Sequence, residues 1–262
     1  MGRKFDYGLE LIYSGVNALV SPPVGGAINV DPEKEMLTEK EIKAMPNQYG
    51  GVDGIVDMNN MPTYNQGNTP HCGCYADIGA IETMLVSKYM DKGIYFDREF
   101  YSALLRKAGI INNKGAYIHR ILQWFKDNNI TDTRGNVYDV VDYKPVEDNK
   151  IIEVMGKGFP VITGAFWGWK YHDSNYVFQP KTLSTGGGHF TLLNMVYPIH
   201  TLKLSDGTLN EQYYIGNETS WGSHFGIKKK NSTMGKGIIW LRECDIHRLF
   251  TSYIFTDVIK LK

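Results

Sequence analysis

Residues 66–82 read Q-G-N-T-P-H-C-G-C-Y-A-D-I-G-A-I-E, and the reading of this stretch decides the fold. It opens as a polar loop carrying Gly67 and Pro70 and turns helical near Cys72. Beyond that point Ile78, Ile81, Leu85 and Tyr89 recur at spacings of three and four, the pattern of one apolar helix face. A cysteine at a loop-to-helix junction meets unpaired backbone N–H groups and the positive end of the helix dipole. Both favour thiolate over thiol. The same N–H groups can hold an oxyanion, and the side-chain amide of Gln66 offers a second donor. Gln66 sits in a polar loop, so its removal is expected to leave folding intact.

The stretch resembles the papain-like cysteine peptidases, whose mature chains carry Q-G-x-C-G-S-C-W-A-F followed by a helix with a G-A-L-E segment. Two cysteines compete for the nucleophile's place. In the family the glutamine lies six residues before the nucleophile, and Gln66 lies six before Cys72. The family's glycine and glutamate follow by seven and ten, as Gly79 and Glu82 follow Cys72. Both spacings select Cys72. Cys74-Tyr75-Ala76 looks locally like the family's Cys-Trp-Ala, which keeps Cys74 as the alternative. Thr69 stands where the family has a disulfide-forming cysteine.

Further along, Gly187-Gly188-His189 runs into an apolar segment, residues 190–197, and resembles the family's G-G-H-A-V around its catalytic histidine. Small residues before the imidazole let a substrate backbone pass. A thiolate–imidazolium pair with His189 would depress the Cys72 pKa. Asn113-Lys114-Gly115-Ala116-Tyr117 resembles the N-G-G-Y that lines the family's cleft, with Ala116 replacing the second glycine. A helix-start turn needing one glycine is the plainer reading of Gly115. Ser220-Trp221-Gly222 resembles N-S-W-G, where the asparagine orients the histidine and the tryptophan shields that hydrogen bond. Here Thr219 fills the asparagine slot. Asn217 lies two residues earlier, on the same strand face, and a bulge after Tyr213 would bring it to the imidazole. Asn217 is the preferred orienting residue and Thr219 the alternative.

The resemblance implies an α+β, two-lobed papain-like fold: a helical left lobe, an antiparallel sheet or barrel as right lobe, and the cleft between. The residues agree with this independently, because helical patterns come first and strands later. Helices are expected at 97–108, 117–128 and 149–156, with a capping box at Thr38-Glu39-Lys40-Glu41. Strands are expected at 159–166, 190–197, 212–217, 237–241 and 253–259, and residues 167–185 as a loop insertion. Residues 1–47 form an N-terminal extension with no counterpart in the mature family domain, packed on the domain or covering the cleft. Residues 48–262 are expected, on this resemblance, to form the peptidase domain.

What the resemblance implies for function is peptide hydrolysis. Cys72 is the nucleophile, His189 the general base and acid, Gln66 the oxyanion donor and Asn217 the orienting group. Gly115, Ala116, Gly188 and Trp221 would contact substrate. An acyl transferase using the same acyl-enzyme, and an inactive papain-like binding module, are the alternatives.

Composition narrows the field further. The 262 residues carry zero formal net charge, so nothing electrostatic favours nucleic acid or an anionic membrane. No apolar run reaches bilayer-spanning length. Three cysteines make no disulfide framework, and residues 9–20 are too polar for a secretory signal, which together point to a cytoplasmic or virion-associated protein. Cys72-Gly73-Cys74 lacks the second ligand pair that a zinc site needs, so neither metal nor cofactor is expected, only a peptide or protein substrate.

Overall fold

The computed structural model describes residues 34–46, 56–57, 64–67, 69–166, 170–172, 177–179, 188–203, 209–220 and 238–262. Helix α1 (Glu39–Ala44) opens on the expected capping box. Glu41 N–H donates to Thr38 Oγ1, and Thr38 N–H to the Glu41 carboxylate at 2.8 Å. Leu37 and Ile42 beside it are buried in the same core as the rest of the chain. A two-residue strand β1 (Val56–Asp57) follows.

Helix α2 (Cys72–Tyr89) is the axis of the molecule. One apolar face was expected, yet every residue from Gly73 to Val86 is buried. The helix is covered on two sides, by helices and by sheet. Close approach makes this possible. A Cβ on Gly73 would stand 2.7 Å from Ile121, and one on Gly79 would stand 3.1 Å from Leu192. The covering helices are α3 (Arg98–Lys107), capped by the Asp97 carboxylate on Phe100 N–H, and α4 (Ile118–Asp127). Ile118, Ile121, Leu122 and Phe125 supply the buried face of α4. Each such side chain contributes about 1.5–3 kcal/mol relative to exposure.

The sheet begins with β2 (Ile130–Thr131) and β3 (Val137–Pro145). Helix α5 (Ile151–Gly156) and strand β4 (Val161–Phe166) come next. Strands β5 (Lys170–His172) and β6 (Val177–Gln179) form a hairpin, so the 167–185 segment is not simply a loop. Then follow β7 (Gly188–Lys203), β8 (Leu209–Glu218), β9 (Ile238–Arg242) and β10 (Leu249–Lys260). The order is β2-β3-β10-β4-β7-β8-β9-β6-β5, with β1 paired to β7. All pairings are antiparallel except that of β6 with β9.

Helices on one side and an antiparallel sheet on the other give the α+β, two-lobed architecture. Its seam is α2 against β7. The start of α2 therefore lies beside the start of β7. The α1 segment docks on β3, where Leu37 N–H donates to Pro145 O at 2.9 Å and Lys34 pairs with Asp142. Among the described residues no helix is long and apolar enough to cross a membrane.

Candidate active site

The two competing cysteines occupy different environments. Cys72 is the first residue of α2 and half-buried, whereas Cys74 is 0% exposed in the core. The sulfur of Cys72 faces the backbone N–H groups of Phe190, Gly73 and Cys72 itself, which draw its pKa down. Burial outweighs them and pushes the thiol up to about 11. The Cys74 thiol is pushed up to about 12, chiefly by burial. The backbone N–H groups at the helix start favour thiolate as the sequence suggests, but burial acts against them and favours the thiol.

His189 is the second residue of β7 and pairs with Ala165 of β4. The residue is 1% exposed, and burial pushes its pKa down to about 3. The two shifts act together, since each disfavours a charge in a low-dielectric setting. Burial thus favours the neutral form of both groups. The next residue, Phe190, offers its N–H to the Cys72 sulfur, so the backbone brings the start of β7 to the nucleophile. Gly188, before the imidazole, is partly exposed.

Gln66 is not a free loop side chain. It is 2% exposed, and its Nε2 donates to Thr69 O at 2.6 Å. Its Oε1 accepts from the Ser220 hydroxyl, and its N–H donates to Ser220 O at 2.8 Å. The expectation that Gln66 can be lost without cost to folding is corrected, because these bonds tie its loop to the end of β8. An amide nitrogen carries two N–H groups, and one remains for an oxyanion.

The register of β7 and β8 bears on the orienting group. Leu192 pairs with Glu218 and Leu193 with Asn217. Asn217 therefore lies level with a residue four beyond His189, about 13 Å along the strand. Carrying the register on sets Thr219 level with Thr191, two residues from His189. Of the two register shifts in this ladder, the one nearer the site falls at Asn194 of β7, while β8 pairs with β9 from Tyr214 to Glu218 without a shift. The bulge invoked to bring Asn217 to the imidazole is thus on the other strand. By that register Thr219 lies nearer His189 along the strand than Asn217 does. The buried Asn217 amide has no hydrogen bond among the described residues.

Gly115 has φ +100, a conformation that favours glycine, and closes a turn with Asn112 through N–H···O bonds of 3.0 and 3.1 Å. Ala116 follows, partly buried against the core. This turn leads into α4, whose Ile118 and Ile121 face Gly73, so it lies beside the nucleophile's helix turn. Trp221 lies outside the described residues. Among those residues no group of three or more His, Cys, Asp or Glu could hold a metal ion.

Sequence reasoning missed a buried charge cluster next to this site. Arg98 donates to Glu82 through both terminal nitrogens, at 3.1 and 2.5 Å, and stacks over the Tyr64 ring at 3.3 Å. Glu218 lines the same small cavity. Glu82 stood out only as a spacing marker, and its partner carries no local signal. Asp77, five residues after Cys72, is likewise buried with no hydrogen bond among the described residues. Burial raises its pKa well above the carboxylate range.

No family model and no curated protein sequence matches this chain. Solved structures do. A digestive procathepsin L 3 from the larval midgut of Tenebrio molitor is 14% identical with a TM-score of 0.57, covering 93% of this chain and 78% of its own. Xylellain, a cysteine protease from Xylella fastidiosa, is 14% identical with a TM-score of 0.59, covering 89% and 94%. A procathepsin B from Trypanosoma congolense is 11% identical with a TM-score of 0.58, covering 95% and 89%.

Proposed function

We propose that this chain, whose fold is that of the papain-like cysteine proteases, is a cysteine peptidase with Cys72 as nucleophile. The observation that carries the reading is the meeting of α2 and β7. It sets a half-buried Cys72 sulfur against the Phe190 N–H, one residue from His189. A neutral imidazole is a competent general base. His189 takes the Cys72 proton as the sulfur attacks the scissile carbonyl. The oxyanion accepts from the Cys72 N–H and the remaining Gln66 N–H. The imidazolium then protonates the leaving amine, and a thioester remains on Cys72. Water, deprotonated by His189, hydrolyses the thioester and restores the thiol.

The placement of Thr219 in the slot nearer His189 gives the inactive-module reading its support, because a hydroxyl is shorter than a carboxamide. Hydrolysis of a mixed peptide library, followed by mass spectrometry, separates the two. The wild-type chain is expected to cleave, and Cys72→Ala and His189→Ala are expected to be silent. Equal products from all three, or none from the wild type, would refute the peptidase. Added amine captured in the products would assign acyl transfer instead.

A further inference from the structure

Two carboxylates and one guanidinium meet between the lobes. Glu82 comes from α2, Arg98 from α3 and Glu218 from the last position of β8. Glu82 is fully engaged: it accepts from both terminal nitrogens of Arg98 and from Phe96 N–H at 2.8 Å. Glu218 accepts from Asn194 Nδ2 at 2.9 Å, and Asn194 is the residue at which the β7 ladder shifts. Arg98 and Glu218 line one narrow cavity with Tyr64, Thr219 and Ser220, yet no hydrogen bond joins them. The Arg98 Nε–H is buried with no hydrogen bond among the described residues. A guanidinium with a spare donor therefore shares one cavity with a carboxyl.

We propose that Glu218 is a positioning residue of the active site. As a neutral acid it leaves Arg98 committed to Glu82 and Tyr64, and as a carboxylate it draws Arg98 toward the end of β8 and unseats Ser220 from Gln66. The link is short. Glu218 precedes Thr219 and Ser220 in the chain, Ser220 holds the Gln66 amide, and Tyr64 under Arg98 is two residues from Gln66. The inference rests on the peptidase reading for the role of Gln66.

Charge balance says why Glu218 titrates. One cation serves two carboxyl groups, the buried Glu82 and the partly buried Glu218, and Glu82 holds it by the better geometry. Burial pushes Glu218 up to about 7, opposed by Arg98 and Asn194 and reinforced by Glu82. Tyr64 and Tyr75 are the other titratable groups lining the cavity, and burial raises both. The neighbour on β9 is the uncharged Ile238. A raised carboxyl pKa means stability that is full below about 4.5 and lost as pH rises through about 7.

The test compares wild type, Glu218→Gln and the equally uncharged Glu218→Met from pH 5 to 9. In kcat/KM the wild type should lose about tenfold between pH 5.5 and 8 relative to Glu218→Gln, the change in neutral fraction for a group titrating near 7. In Gln66→Ala that pH-dependent ratio should collapse toward one. The melting temperature of Glu218→Gln should gain on wild type across the same interval. The rate of Cys72 alkylation by iodoacetamide should show the same climbing ratio without requiring turnover. A flat ratio in hydrolysis and alkylation overturns the proposal, whatever the melting curves do. No hydrolysis from any variant, with a climbing alkylation ratio, refutes the peptidase and leaves standing only the coupling of Glu218 to the surroundings of Cys72.

Discussion

Truncating Gln66 to alanine separates two jobs that one side chain holds. The first is chemical. Loss of one oxyanion donor typically costs about 3 kcal/mol in the transition state, a kcat reduction of roughly a hundredfold. The second is structural. Gln66→Ala removes the bond to Thr69 O and the one from the Ser220 hydroxyl, and leaves two polar groups in a site where Ser220 is buried. At about 1 kcal/mol per bond, plus part of the penalty for an unsatisfied partner, the loss is about 2–4 kcal/mol. For a chain of this size that lowers the melting temperature by roughly 5–10 °C. The assay is kcat on a fluorogenic peptide, read well below the lowered melting point, beside a calorimetric scan of the same preparation. A fall in melting temperature with kcat changed less than threefold would make Gln66 a scaffold residue and remove it from the mechanism. A collapse of kcat with an unmoved melting point would show that its bonds to Thr69 and Ser220 do not hold the loop.

Two further substitutions probe the surroundings. Thr219→Val should reduce kcat more than Asn217→Ala does, because the register places Thr219 nearer His189; the reverse order in steady-state kinetics would put the asparagine back at the imidazole. Asp77→Asn should be stabilising at neutral pH. Burial raises the Asp77 pKa, so the stability of its neutral form is full below about 4 and is lost as pH rises through the raised value. The melting-point gain of Asp77→Asn over wild type should therefore grow from near zero at pH 4 to several degrees at pH 7, and a gain that does not vary with pH would mean that Asp77 is compensated by a partner.

The helical lobe was legible because its signals are local. Thr38 and Glu41 announce a capping box within four residues, and Ile118, Ile121, Leu122 and Phe125 mark their face within one helix. The start of α2 at Cys72 follows from the loop residues before it. Strand β3, with its broadly alternating burial over Val137–Pro145, carries a period-two signal but no family motif. What the sequence could not show is long-range. Gln66 is buried by Ser220, 154 residues away. The fit of Asn217 or Thr219 to His189 depends on strand register, and the ladder shift at Asn194 sits on the strand opposite the one where spacing placed it. A helix terminus favours thiolate, but the depth of burial, which only the packed lobes create, pushes Cys72 the other way. Arg98 finds Glu82 at a separation of 16 residues and shares a cavity with Glu218, with no motif to announce either.

The central claim is that the Cys72 sulfur takes the acyl group while His189 takes its proton. The most direct measurement is acid quench of the protein mixed with an activated peptide ester, followed by digestion and fragment-ion mass spectrometry. The expected result is an acyl adduct on Cys72, formed in the wild type within one turnover and missing from His189→Ala. Acylation of Cys74 or of the exposed Cys244, or hydrolysis with no adduct on any cysteine, would contradict the account.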